Sequence, residues 1–308
     1  MMNKDSKILI TGGTGMVGHA LHALLLSIGY SNIHITGSKF CDLRNTSEAK
    51  TFFEIQQPDY VFHLAAQVYG SGGNAKYKAD VLFNNAMINM NVIEFSRRVG
   101  VKKITAMGSG CIYPEFGRGK ALTEDQIWWG EPHGSEDSYA HTKRFMLAQL
   151  LANEEQYGMD FAYAISGNLY GEYDNFDIEN GHVVPVLIAK FYEAVQNKYY
   201  VTPWGTGAAI RDFTYGEDAA KALYLLMENV NGVINIGSGN IHRIKDVVVR
   251  LQKITGMEIK WDKTKSDGQL ERYYDLSRLN ALGFKAEVSL DAGIKKTYDW
   301  YVRQKEMI

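Results

Sequence analysis

The chain has 308 residues, 45% hydrophobic and 22% charged, ordinary globular proportions that exclude a disordered, collagenous or coiled-coil protein. Its 33 Lys and Arg face 35 Asp and Glu, a formal net charge of −2, so no global basic field gathers nucleic acid or an anionic membrane, and an anionic ligand must be met locally. No apolar run approaches the ~20 residues that span a bilayer, and the two cysteines, Cys41 and Cys111, are too few for a disulfide framework; with the polar start, this predicts a cytoplasmic protein of one large domain or two intimate ones.

Through the first half, short β-branched apolar runs alternate with stretches of helical period, the pattern of a parallel sheet with helices on both faces. Strands are expected at 7–11, 33–36, 60–64, 103–107 and 161–165, and helices at 17–28, 46–56, 81–99 and 137–157. After about Leu169 the texture turns to Gly-, aromatic- and amide-rich loops. Helices are expected there over 184–195, 217–228 and 246–254, with a buried strand over 232–237. The predicted fold is α/β: a doubly wound parallel sheet of Rossmann type with a smaller C-terminal lobe. Residues 1–168 form the dinucleotide-binding domain, segments of 211–240 return to its sheet, and 169–308 form mainly a substrate-binding lobe over the sheet's carboxyl edge.

The first strand runs directly into Gly12-Gly13-Thr14-Gly15-Met16-Val17-Gly18, which satisfies a G-x-G-x-x-G spacing. Glycine suits a tight turn, a backbone approaching a pyrophosphate and a helix packed on a strand, while the helix N-terminus faces the anion. The bland alternative is a structural glycine turn, but the position between strand and helix at the start of a βαβ unit favours a dinucleotide site. An acid about 20 residues on would take a ribose 2′-hydroxyl; Thr36-Gly37-Ser38-Lys39 instead offers hydroxyls and a cation, which leans toward NADP over NAD. Lys39 could equally be a solvated loop lysine. Asp42-Leu43 is placed to reach an adenine edge, with helix capping by Asp42 as the alternative.

Tyr139 and Lys143 are four residues apart in a helical pattern and so share one face. A phenol with pKa near 10 needs a neighbouring ammonium before it exchanges protons at neutral pH. Ser109 follows the fourth strand's carboxyl end, where open α/β sheets bind ligands. Ser109 and Tyr139 could then bond one substrate oxygen; the alternative is that Tyr139 is an ordinary interface residue.

These residues, with Ala65-Ala66 after the third strand, resemble the extended short-chain dehydrogenase/reductase superfamily over almost the whole chain. More narrowly, Gly108-Ser109-Gly110-Cys111-Ile112-Tyr113-Pro114, Asn168-Leu169-Tyr170-Gly171, Asp174-Asn175-Phe176, Gly181-His182-Val183-Val184-Pro185, Trp204-Gly205-Thr206-Gly207 and Arg211-Asp212-Phe213 are similar to the GDP-L-fucose synthase family. That family consists of bifunctional 3,5-epimerase/4-reductases acting on GDP-4-keto-6-deoxy-D-mannose with NADPH. The resemblance implies a cytoplasmic homodimer through helices 81–99 and 137–157, no metal, and Ala65 and Ala66 at the cofactor. It also implies Cys111 and His182 as the acid–base pair for inversion at C3 and C5, Asn168 at the sugar, Trp204 at the sugar or base, and Arg211 and Lys190 at the GDP diphosphate. Taken alone, Cys111 reads as a small buried hydrophobe, His182 as a loop or cap residue, Arg211 as a surface ion-pair partner and Lys190 as a solvated lysine.

The chain departs from the family pattern at several points. Ser109-Gly110-Cys111 stands for the usual Ser-Ser-Cys, and Ser166-Gly167-Asn168 for Pro-Thr-Asn. The loops 67–74 and 126–134 also diverge. A pure 4-ketoreductase on another GDP-linked keto sugar, a heptose or a dideoxy sugar, is therefore the runner-up. A non-catalytic dinucleotide sensor is the reading from a different class.

Overall fold

The computed structural model describes residues 2–115 and 119–307. The element order is β1 Ile8–Thr11, α1 Met16–Ser27, β2 Ile33–Thr36, α2 Thr46–Gln56, β3 Tyr60–His63, α3 Ser71–Lys76, α4 Lys78–Arg98, β4 Lys103–Met107, α5 Asp137–Tyr157, β5 Asp160–Ser166 and β6 Asn168–Tyr170. It continues with α6 Val183–Asn197, β7 Ile210–Tyr215, α7 Gly216–Asn229, β8 Gly232–Ile236, β9 Ile241–Arg243, α8 Ile244–Thr255, β10 Glu271–Arg272, α9 Ser277–Ala281 and α10 Leu290–Glu306.

Six strands form an all-parallel sheet in the order β2-β1-β3-β4-β5-β8. Because both faces are covered, strand residues alternate between two cores rather than between core and water. Leu9, Val61, Ile104 and Phe161 face α2, α4 and α5. Their neighbours Ile8, Ile10, Phe62, Ala162 and Ile234 face α1 and α7. The order in which strands are added reverses between β1 and β3, which opens a crevice beyond their carboxyl ends.

A second, smaller sheet carries β6 and β10 parallel to β7 and β9 antiparallel to it. Helices α6, α8 and α10 bury a third core against it, centred on Phe191, Val248, Ile294 and Tyr301. Asp212 of β7 ties the sheets together. Its buried carboxylate accepts from Ser238 N (2.9 Å), Ser238 Oγ (2.8 Å) and Gly239 N (2.9 Å) in the turn after β8, and from Thr214 Oγ1 (3.0 Å). Four donors make a buried charge tolerable.

The seven long helices expected from periodicity all form, 46–56 and 137–157 with both ends as expected and the others with ends moved by at most three residues. Strands β6, β7, β9 and β10, and helices α3, α9 and α10, were not expected. Helix α10 is the largest addition: Leu290, Ile294, Thr297, Tyr298 and Tyr301 recur on one buried face, but among so many Lys and Asp the stripe is diluted. Helix α4 conceals a different feature, three buried asparagines at 85, 89 and 91. Asn85 clasps the loop after β3, accepting from Gln67 N (2.9 Å) and donating to Gln67 O (3.0 Å). Asn91 donates to Leu43 O (2.9 Å) in the loop after β2.

Asn89 joins a buried string. Thr11 Oγ1 lies 2.8 Å from His63 Nδ1, His63 Nε2 lies 3.0 Å from Asn89 Oδ1, and Asn89 Nδ2 donates to Thr142 O (3.3 Å). Burial, with the nearby Lys143 ammonium, pushes the His63 pKa down to about 3. The unfolded chain, with an ordinary histidine pKa near 6.5, therefore takes up this proton first, and the stability it carries is lost as pH falls from about 6.5 toward 3. Urea midpoints measured between pH 7 and 4 should fall more steeply for the wild type than for His63→Gln, by up to roughly 1.4 kcal/mol per pH unit. Identical slopes would remove His63 as the source.

Candidate active site

The carboxyl ends of β1, β3, β4 and β5 open into one cleft of about 630 Å³. Its floor is the glycine turn. Gly12 has φ +70°, and a Cβ there would sit 2.7 Å from Ala65 N; a Cβ at Gly18 would sit 2.5 Å from Gly12 O. These glycines let α1 press against the β1–β3 turns. Gly15 is the N-cap of α1 in extended conformation, and no side chain caps its first turn. The first amides of a helix have no intrahelical partners, so a bare N-terminus faces the cleft, as a diphosphate requires. Gly12, Thr14, Gly15, Met16, Val17, Gly18, Asp42, Leu43, Ala65 and Ala66 all line this space.

Lys39 is exposed and is not among the lining residues. The lining cation on this side is Arg44, which sequence reasoning passed over; its guanidinium holds Asp42 at 2.8 Å and keeps that carboxyl below the usual range. Asp42 does not cap α2. Asn45 does so, accepting from Ser47 N and Glu48 N.

Farther along the cleft, Ser109, Cys111, Tyr139, Lys143, Asn168 and His182 come together from four different parts of the chain. Ser109 leaves β4 extended and caps a short 3-10 turn at Gly110–Ile112, accepting from Cys111 N at 3.4 Å. Lys143 is buried, donates to Met107 O (2.8 Å) at the end of β4, and lies 5.6 Å from the Tyr139 ring centroid. Beneath them Tyr163 donates to Lys143 O (2.9 Å), and only glycine at position 108 leaves room for its ring.

Burial governs the protonation states. It lowers Lys143 to about 8. It raises the Cys111 thiol to about 12, helped by Glu136 and opposed by a hydrogen bond with Ser109. The Tyr139 phenol is pushed up by burial and by its Cys111 and Glu136 neighbours, and His182 is pushed down chiefly by burial. Near neutral pH the free site thus holds a neutral phenol and thiol able to donate, and a neutral imidazole able to accept.

Three charged neighbours were not anticipated. Glu136, one turn before Tyr139, pairs with Arg272 at 2.7 Å. Burial alone would raise the Glu136 carboxyl, but Arg272 outweighs it and the net shift is downward. Asp174 also lines the cleft, its carboxyl pushed up to about 7 by burial and its Oδ2 without a partner among the described residues. Glu136 carried a helical-spacing signal. Arg272 lies far along the chain and carried none.

The remaining expected residues sit apart from the cleft lining. Lys190 donates to Thr202 O (3.3 Å) and lies 4.7 Å from the Trp204 ring, which is 49% exposed. Arg211 is buried, donating to Ile210 O (2.7 Å) and Gln269 O (2.6 Å); burial and the adjacent Arg272 lower it to about 10. It does not pair with Asp212, which is taken up by the turn after β8.

Comparison with known proteins agrees with this geometry. Residues 8–237 match the model of the NAD dependent epimerase/dehydratase family. GDP-L-fucose synthase 1 of Arabidopsis thaliana is 35% identical over 308 residues, covering 98% of this chain and 95% of that protein. A GDP-6-OMe-4-keto-L-xylo-heptose reductase from C. jejuni superposes with a TM-score of 0.91 at 30% identity, covering 98% and 99% of the two chains. A GDP-L-fucose synthetase from Naegleria fowleri bound to NADP superposes with a TM-score of 0.89 at 29% identity, covering 99% and 97%. The Rossmann-type sheet, the glycine turn and these matches lead to one conclusion: the chain belongs to the NAD dependent epimerase/dehydratase family of extended short-chain dehydrogenases/reductases.

Proposed function

We propose that this protein is an NADPH-dependent epimerase/reductase that converts GDP-4-keto-6-deoxy-D-mannose, or a close analogue, to GDP-L-fucose or its counterpart. The observation that carries the reading is the meeting of a hydroxyl, a phenol, an ammonium, a thiol and an imidazole in the same cleft as the glycine turn. In the division of labour, residues 1–168, with returning segments of 211–240, hold the cofactor, and 169–308 mainly hold the substrate. The two cysteines are both buried and free, which suits a reducing cytoplasm.

The diphosphate of NADPH would lie on the bare N-terminus of α1, with Gly12, Thr14, Gly15, Met16, Val17 and Gly18 around it. Ala65 and Ala66 would back the cofactor, Leu43 and Asp42 the adenine, and Arg44 would meet the 2′-phosphate in place of Lys39. Bound there, NADPH supplies the hydride that reduces a ketone to an alcohol. Lys143, anchored on Met107 O, would hold the nicotinamide ribose and steady the negative charge left on Tyr139. In the substrate, Asn168 would contact the sugar and Trp204 the base end. Lys190 and Arg211 would meet the diphosphate; Arg211 has N–H donors beyond the two already engaged.

A ketone at C4 acidifies the hydrogens at C3 and C5, because the carbanion delocalises onto oxygen. Ser109 and Tyr139 would donate to that enolate oxygen, each worth roughly 3 kcal/mol when well placed. Cys111 and His182 would remove and return protons on opposite faces. After inversion, Tyr139 gives its proton to O4 as the C4 carbon is reduced. A neutral phenol is the form this direction needs, and burial keeps Tyr139 in that form.

The similarity to a 4-keto-heptose reductase and the glycine at position 110 favour a second reading, reduction of another GDP-linked 4-keto sugar with little or no epimerisation. Heavy water separates the two. Deuterium should enter C3 and C5 of the product on the first reading and neither on the second. On the first, Cys111→Ser and His182→Asn should each slow that exchange about 100-fold or more, while NADPH affinity, measured by fluorescence titration, stays put. Unchanged exchange in both variants would exclude the pair.

Tyr139→Phe should lower kcat/KM for ketone reduction by about 10²- to 10⁴-fold, the usual value of a positioned acid, with cofactor affinity retained. Full activity in this variant would refute the assigned acid.

Helices α4 and α5 pack side by side and leave Phe83 65%, Leu82 44%, Met90 43% and Phe145 43% exposed. We place a homodimer here, two α4–α5 pairs forming a four-helix bundle. Light scattering should report a dimer for the wild type and a monomer for Phe83→Glu/Phe145→Glu; a wild-type monomer at micromolar concentration would dispose of the interface.

A further inference from the structure

Tyr274 follows β10 and is built into the sugar end of the cleft from a segment remote in sequence from every other site residue but Arg272. Its backbone is clamped on both sides, since Leu122 N donates to Tyr273 O (3.0 Å) and Asp275 N to Leu122 O (2.9 Å). Its ring leans on Tyr113 at 6.0 Å between centroids, and Tyr113 is itself held by a 2.6 Å hydrogen bond to Asn235. The side chain is buried, 7% exposed, yet lines the cleft with Ser109, Cys111 and Arg272.

Two glycines make its slot. A Cβ at Gly110 would collide with the Tyr274 phenol oxygen, and a Cβ at Gly167 would lie 2.9 Å from Cε2 of the ring. Neither glycine has a positive φ, so backbone conformation does not demand them. What demands them is the room for this ring. They are also two of the positions where the chain departs from the family pattern. Among the described residues the Tyr274 hydroxyl makes no hydrogen bond, although other buried tyrosines such as Tyr113 and Tyr163 are partnered. Burial raises its pKa to about 12 against the pull of Arg272 and Arg211, so at neutral pH it is a donor without an acceptor.

We propose that Tyr274 is a specificity-determining residue whose phenol donates a hydrogen bond to the hydroxyl on the carbon beside the substrate ketone. The proposal rests on the reading of the site given above. Ser109 and Tyr139 converge on the ketone oxygen, and the Tyr274 phenol stands over Gly110, between Ser109 and Cys111. Of the two carbons flanking a C4 ketone in a 6-deoxyhexose, C3 carries a hydroxyl and C5 a methyl group. Only the C3 side offers the phenol a hydroxyl.

The test is the rate of NADPH oxidation with GDP-4-keto-6-deoxy-D-mannose and with its 3-deoxy counterpart. The wild type should favour the 3-hydroxy substrate by about tenfold or more in kcat/KM, the usual worth of one hydrogen bond that leaves a buried group unpaired when lost. Tyr274→Phe should lose that preference by falling on the 3-hydroxy substrate alone. Gly110→Ala, which displaces the phenol, should lose it too, and the double variant Gly110→Ala/Tyr274→Phe should fall no further than either single one. Thermal melts and NADPH affinity establish that each variant is folded. A Tyr274→Phe enzyme that keeps the wild-type preference overturns the proposal and leaves the proposed function standing. A wild type that reduces neither ketone overturns both.

Discussion

The site depends on a string of hydrogen bonds that never reaches it. Thr11, His63, Asn89 and the Thr142 carbonyl run through the interior from β1 to α5. Thr11 immediately precedes Gly12 of the glycine turn, and Thr142 immediately precedes Lys143. The string therefore fixes the height of α5 against the sheet and the separation between the cofactor turn and the Tyr139–Lys143 face. Inside a low-dielectric core such a network is stabilising only when complete, because each unpaired member costs its full desolvation. Burial and the Lys143 ammonium keep His63 neutral, so Nε2 donates to Asn89 Oδ1 and Nδ1 accepts from the Thr11 hydroxyl. The same helix that supplies Asn89 also supplies Asn85 and Asn91, which hold the loops after β3 and β2. One helix thereby sets three walls of the cleft.

On the proposed reading, electrostatics follows from the same burial. The groups that would exchange protons are kept neutral, with Tyr139 and Cys111 raised and His182 lowered, while the fixed charges around them are paired or anchored: Glu136 with Arg272, and Lys143 on a backbone carbonyl. A neutral ground state surrounded by preorganised cations binds a neutral ketone weakly and its enolate strongly. That difference, rather than tight substrate binding, is what accelerates the chemistry. Arg272 stands close enough to Arg211 to lower its affinity for a proton, and one acid, Glu136, acts on both. The excess positive charge is suited to an anionic ligand arriving from the nucleotide end.

Much of this architecture was legible from local signals. Alternation of short apolar runs with helical period gave the doubly wound sheet, because strands buried on both faces read as unbroken hydrophobic stretches. The glycine spacing, Ser109, and the Tyr139–Lys143 pair were visible because each is a short-range pattern tied to a strand end or a helix face. What stayed hidden had no local pattern to show. Arg272 and Tyr274 enter the cleft from and just after a two-residue strand whose partner, β7, lies some sixty positions away. Three asparagines on α4 break the apolar stripe that marks a buried helix. In α10 the stripe was present, but polar neighbours masked it. Lys39 was chosen for its sequence distance from the glycines, whereas the cleft wall at that point is built by the turn that follows, bringing Arg44 forward instead.

The contrast between these two kinds of residue bears on how one scaffold comes to act on different sugars. The glycine turn and the α5 face are held by the sheet and by the buried string, so a change there dismantles the core. Positions 110 and 167 are different: each is a backbone segment that a side chain from elsewhere presses against, and neither contributes to a core cluster. Removing two Cβ atoms there opens a slot without disturbing the sheet, and a segment beyond β10 fills it with a phenol. Substrate choice can thus be rewritten by exchanging bulk between the turn after β4, the β5–β6 turn and a distant loop while Ser109, Tyr139 and Lys143 stay where they are. The clamp of Leu122 on residues 273 and 275 makes such an exchange effective, because it gives a loop residue the rigidity of a sheet residue, and a hydrogen bond discriminates between substrates only when its donor cannot move to compensate.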